Sequence, residues 1–140
     1  MAITPYLAFP GTARQAFEFY REVFGGEVSI FTYADMPSEE TQGMAPDSVA
    51  HASLKFGDNS LMGADAHTDV QSSGMCAMYD LSDDAEAERV FHALAEGGEV
   101  QMPIQATSFA SNYGIVTDKF GTPWMIHSAN PEFAAQFQEG

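Results

Sequence analysis

Few residues in this 140-residue chain have side chains suited to chemistry: four histidines, one cysteine and 20 acidic groups. His51 opens one apolar run and His127 nearly closes another. An isolated histidine at a strand end more often bonds to backbone than it ligates or catalyses. His67 falls in a polar linker and His92 in a helical segment, which predicts surface positions for both. Cys76 stands alone, so neither an internal disulfide nor a cysteine-based zinc knuckle is available. A single cysteine is most often a small buried hydrophobe. The acids fall in loops and on helix faces, and no carboxylate pair is spaced for acid–base work. The phosphate-binding, dinucleotide-binding and nucleophile-elbow motifs are missing from the sequence.

The charge balance narrows the partners. Twenty acids against five bases give a net charge of −15. Nucleic acid and anionic membrane surfaces would be repelled. No run approaches 18 apolar residues, so no membrane span is expected, and the N-terminus lacks a secretory pattern. The cytoplasm is the expected compartment. The 45% hydrophobic and 12% aromatic content is that of a globular protein.

Periodicity supplies the elements. Ile3–Phe9 predicts a strand, ended by Pro10-Gly11. Thr12 and Gln15 suggest a capping box, and Ala16, Phe19, Tyr20, Val23 and Phe24 recur at helical spacing. Glu27–Tyr33 predicts a second strand. Residues 34–48 have no periodicity and predict a long loop of lid or binding-loop type. His51–Phe56 and Ser60–Ala64 predict a hairpin. Residues 67–74 read as a polar linker. Met75–Leu81 is another strand, and Ser82, Asp83 and Asp84 supply a helix N-cap. Ala87, Val90, Phe91 and Leu94 make an apolar stripe. The segments 99–104, 113–120 and 123–128 predict three further strands, and the last ten residues a short amphipathic turn or a fraying end.

Two short strings recur in order. GGEV occupies Gly25–Val28 and Gly97–Val100, an offset of 72. KFG occupies Lys55–Gly57 and Lys119–Gly121, an offset of 64. The eight-residue discrepancy falls at the acidic loop, as an insertion would. On the GGEV offset Phe19 corresponds to Phe91. The chain therefore reads as one domain, 1–140, built from module one (1–66) and module two (74–128). The expected fold class is α+β: two tandem βαβββ modules forming a curved, mostly antiparallel eight-stranded sheet around a cleft. Concave apolar faces of this kind bind small molecules.

ITPYLAFPGTARQAFEFYREVFGGEV, HASLKFGDNSLMGAD, DLSDDAEAERVFHALAEGGEVQMP and GIVTDKFGTPWMI together resemble the PhnB-like branch of the vicinal oxygen chelate superfamily, which includes glyoxalase I, extradiol dioxygenases and bleomycin-resistance proteins. The likeness spans nearly the whole chain except residues 34–48 and the last ten. It implies a divalent metal held by side chains on four strands. Carried over, those positions fall on Pro5, His51, the neighbourhood of Cys76, and Met125 or its same-face neighbour His127. Proline cannot ligate through its side chain, and methionine is a poor ligand for Zn, Mn or Fe. The usual metal set is thus not met. No cofactor is expected, and Zn, Mn, Fe or Ni on His51, Cys76 and His127 is the alternative. Some members of this branch have carried a methyltransferase label, but no glycine-rich nucleotide fingerprint accompanies it here.

Alternation then sets the faces. Leu7 and Phe9 should share the face of Pro5, Ser53 that of His51, and Met125 that of His127. The expected ligand-binding residues are Phe9, Tyr33, His51, Ser53, Cys76, Met125 and His127. The catalytic residues, if the chain is an enzyme at all, are not legible. The function expected is small-molecule binding in an apolar cleft without the usual metal. The alternatives are a metal-dependent lyase, isomerase or dioxygenase using His51, and a drug-sequestering resistance protein, which the acidity would suit for a cationic drug. The resemblance and the exposed strand edges together imply a homodimer.

Overall fold

The computed structural model describes residues 4–37, 43–66 and 75–129. The expected turn at the C-terminus and the linker at 67–74 lie outside them, as does the middle of the 34–48 loop. The chain divides into two compact units, residues 1–71 and 72–140. Each has the expected strand–helix–strand–strand–strand order.

In the first unit β1 (Tyr6–Phe9) leads to α1 (Ala13–Phe24), then β2 (Glu27–Thr32), β3 (Val49–Phe56) and β4 (Asn59–Asp65). The sheet order is β1-β4-β3-β2, with β1 parallel to β4 and the other pairs antiparallel. The second unit repeats the plan with β5 (Ala77–Asp80), α2 (Asp84–Ala95), β6 (Glu99–Gln105), β7 (Ala110–Thr117) and β8 (Pro123–Ala129), in the order β5-β8-β7-β6. A mostly antiparallel α+β fold of two modules is thus what the chain adopts, as two four-stranded sheets.

Each helix covers one face of its own sheet. Ala13, Ala16, Phe17, Tyr20 and Val23 of α1 are buried, as are Ala52, Leu54 and Leu61 of the strands. In the second unit Ala87, Val90, Phe91 and Leu94 of α2 are buried, with Val116, Trp124 and Ile126 from the sheet. The buried stripes superpose residue for residue when Ala13, Ala16, Phe17 and Tyr20 are matched to Ala87, Val90, Phe91 and Leu94. Phe91 therefore corresponds to Phe17 and not to Phe19, which is half-buried. Core packing fixes the helix register, whereas GGEV marks only the helix exit.

The recurrence of GGEV has a steric cause. A Cβ on Gly26 would collide with the Lys55 carbonyl oxygen, and one on Gly98 with that of Thr117. In both units the chain leaving the helix crosses the end of the neighbouring strand at a distance only glycine permits. The next two residues then enter the ladder, Glu27 opposite Lys55 and Val28 opposite Leu54, Glu99 opposite Thr117 and Val100 opposite Val116.

The two helix starts differ. Asp83 caps α2 itself, accepting from the Ala85 and Glu86 amides. Thr12 makes no side-chain cap bond to α1. Buried Asp65, at the end of β4, instead accepts from the Ala13 amide at 2.9 Å and the Val49 amide at 2.9 Å. The expected strand 113–120 also shifts. β7 begins at Ala110 and stops at Thr117, because the Asp118 carboxylate folds the next residues into a turn. It accepts from the amides of Phe120 (2.8 Å) and Thr122 (3.1 Å) and from the Trp124 indole (2.8 Å).

Candidate functional site

The helices leave one face of each sheet without a cover of their own, and strand register decides which side chains stand there. In the first unit Tyr6 pairs with Met62, Met62 with Ser53 and Ser53 with Ser29, forming one row across four strands. His51 lies in a neighbouring row opposite Phe31. The Tyr6 hydroxyl reaches His51 Nδ1 at 3.2 Å, with the rings 5.7 Å apart and tilted by 32°. Tyr33 lies just past β2 in a short 3-10 turn (Tyr33–Asp35), not on the strand itself. The Tyr6 phenol is held above its ordinary pKa, mainly by burial and secondarily by Tyr33.

Phe9 is corrected by this register. It is 1% exposed and meets Phe17 of α1 edge-on, so it belongs to the core and not to a binding face. Leu7 pairs with Gly63, and a Cβ there would meet the Phe17 ring, which puts Leu7 on the helix side too. Tyr6 is the residue β1 presents beside His51. The face assigned from Pro5 was thus one residue out of step, and a one-residue slip inverts a strand. Ser53 and His51 do share a face, as alternation predicts.

In the second unit Met78 pairs with Met125, Met125 with Ile115 and Ile115 with Met102. The adjacent row runs Asp80, His127, Tyr113 and Gln105. His127 Nδ1 lies 2.9 Å from Asp80 Oδ1. A carboxylate only accepts, so Nδ1 carries the hydrogen and the neutral ring keeps its lone pair on Nε2. Phe109 and Tyr113 flank the imidazole, with centroids 6.4 and 6.2 Å from it. Met125 and His127 share this face, as expected. Cys76 is exposed and sits just before β5.

Within each unit the described residues do not gather a donor set for a divalent metal. Asp80 is the residue opposite His127, and Cys76 lies four positions earlier, about 13 Å along an extended chain. In the first unit His51 Nδ1 is engaged with the Tyr6 hydroxyl. Among the described residues no three His, Cys, Asp or Glu side chains converge as a metal group. The duplication adds a reason. The parallel pairs occupy matching places in the two sheets, Tyr6 with Met62 and Met78 with Met125. The counterpart of Met125 is therefore Met62, on the same fourth strand of its module, and not His51 on the third. Within each unit these positions are poor donors for Zn²⁺, Mn²⁺ or Fe²⁺: a phenol and a thioether in the first, two thioethers in the second.

Tyr6, Met78, Met102 and Asp80 were not singled out by sequence reasoning. The usable signal was the period-2 pattern anchored on small helix-facing residues such as Ala52 and Gly114, and not on Pro5.

Two tandem α+β modules with helix-free faces define the fold of the vicinal oxygen chelate class. It is shared, at the level of fold alone, with the bleomycin-binding protein of Streptomyces verticillus (14% identity, TM-score 0.59, 93% of this chain and 97% of that one). Within that class the chain belongs to the family described as 3-demethylubiquinone-9 3-methyltransferase, whose model matches residues 1–127. It is 33% identical to Protein YjdN of Escherichia coli K12 over 139 residues, 91% of this chain and 95% of that protein. The solved structure of PA1353 from Pseudomonas aeruginosa matches at 37% identity and TM-score 0.84, covering 92% of this chain and 98% of that one. The PhnB protein of Bacillus cereus matches at 27% identity and TM-score 0.74, over 92% and 100%.

Proposed function

We propose that this PhnB-like protein binds a small organic molecule on the helix-free faces of its sheets, without a catalytic divalent metal. The supporting observation is where its apolar side chains lie. Tyr6 and Phe31 are 57% and 44% exposed, and Met78 and Met102 are 57% and 37% exposed. The ladder sets them beside His51 and Ser53 in one unit and His127 in the other. Rigid strands bearing exposed rings and thioethers beside a few polar groups suit an apolar ligand with one or two polar points. The methyltransferase name of the family carries no weight in this reading, because the sequence has no glycine-rich cofactor turn.

In this reading the two modules work as one domain, the chain pairs with a second copy of itself, and it acts in the cytoplasm. Among the described residues the largest helices have 12 residues, and none is long and apolar enough to cross a membrane.

The test is a ligand-observed NMR screen of neutral and charged aromatic and aliphatic fragments against untagged protein, with elemental analysis of the same sample. Saturable binding that perturbs Ser53 or Met125 amides, with sub-stoichiometric metal, is the expected result. Stoichiometric Mn, Fe, Ni or Zn that disappears in a His51→Ala variant would replace this reading with a metalloenzyme. Binding of no fragment at all would remove it.

A further inference from the structure

The first unit gathers more aromatic surface at one place than a generic apolar face requires. Tyr6 and His51 are in contact through hydroxyl and ring nitrogen. Phe31 stands directly across the strand pair from His51, where opposed Cβ atoms lie about 5 Å apart. Tyr33 opens the 3-10 turn two residues beyond Phe31. Tyr6, Phe31 and His51 therefore share one face of the sheet, with Tyr33 just beyond the end of β2, and Tyr6 and Phe31 are the most exposed of the four.

Charge around the patch is one-sided. Lys55 is the single Lys or Arg of β1 to β4. It lies four residues beyond His51, about 13 Å along β3, and opposite Glu27. At the other end the Asp35 carboxylate is fixed two residues after Tyr33, bonded to the Thr32 amide (3.2 Å) and hydroxyl (3.1 Å). The whole chain adds a net −15. Ring faces carry negative potential, and a negative surrounding field concentrates cations at them.

We propose that Tyr6, Phe31, Tyr33 and His51 form a receptor for a small organic cation, such as a quaternary or alkylated ammonium group, held by ring faces and not by a salt bridge. This rests on the small-molecule reading above and names the class of ligand for that face. The polar contact is left to the Tyr6–His51 pair, whose hydroxyl and imidazole can orient a neutral tail.

Choline and its uncharged carbon isostere, 3,3-dimethylbutan-1-ol, separate charge from shape. Each is titrated into ¹⁵N-labelled protein at about pH 8, above the ordinary histidine range, and into Tyr6→Leu and Phe31→Leu variants that keep apolar area but lose the ring. The expected result is saturable movement of the Phe31, Tyr33 and His51 amides with choline and at least about fivefold weaker binding of the alcohol. Each leucine variant, with an otherwise unchanged spectrum, should weaken choline by about the same factor. Equal binding of the two compounds would overturn the cation assignment and leave a neutral-ligand face, so the broader reading would stand. Choline shifts confined to residues of the second unit would overturn the site. Failure of choline, the alcohol and every fragment of the screen would overturn both proposals.

Discussion

Asp118 shows how much one carboxylate can hold. It is 3% exposed and accepts from two turn amides and the Trp124 indole. Asp118→Ala leaves three donors in the turn without that acceptor, and a loss of about 3 kcal/mol is expected. Urea denaturation should show the midpoint falling with an unchanged slope. An effect below about 0.5 kcal/mol would mean that water replaces the carboxylate. Tyr6 makes a different prediction. Its folded phenol pKa lies above the ordinary 10.0, raised first by burial and then by Tyr33. A group with a raised folded pKa stabilises fully below its unfolded pKa, and that contribution disappears as pH rises through the folded one. Wild type should therefore lose stability above about pH 10, and Tyr6→Phe should flatten that decline. Alkaline urea titrations with identical slopes for the two proteins would contradict it.

At the scale of elements, the second glycine of each GGEV string is the sensitive point. Gly98→Ala should cost more than about 2 kcal/mol, because the obstacle is the Thr117 carbonyl and neighbouring backbone, which cannot swing aside. Gly26→Ala meets the Lys55 carbonyl in the same way and also places a side chain at φ 93°, so it should lower the melting temperature at least as much. A neutral outcome at either would show that the helix exit can shift. Element order was legible from the sequence, since apolar spacing and glycine pairs mark both helices and both exits. Faces were less so. Pro5 served as the anchor of β1 although Tyr6 is the residue beside His51, and Phe9 consequently went to the wrong side. The α1 cap was also missed, since Asp65 lies 52 residues from Ala13 and nothing local points to it. By contrast the α2 cap was legible because Asp83 is adjacent to its helix.

For the molecule as a whole, the −15 charge is the dominant fact. Self-repulsion opposes the compact state and is screened within about 10 Å at 0.1 M salt. The midpoint of thermal unfolding should rise as sodium chloride is added from low ionic strength, and a flat response would mean that the acids are already dispersed enough not to matter. The proposed pairing is tested by light scattering on the eluting peak. The mass of a 15.1 kDa monomer at every loading would exclude a dimer. The acidity alone already suited a cationic ligand, but the proposed receptor was not legible, because strand register sets Tyr6 and Phe31 beside His51 from three separate segments.

The unequal capping of the two helices has a consequence for how the chain is made. α2 carries its own cap, so its first turn can be satisfied as soon as residues 83–86 have emerged. α1 borrows Asp65, so its N-terminus waits until the rest of the first module has been synthesised and β4 has docked. The order of synthesis and the order of completion are then mismatched within module one. A ribosome stalled before residue 65 would present a helix without its cap, exposed to proteases and chaperones, whereas module two has no such delay.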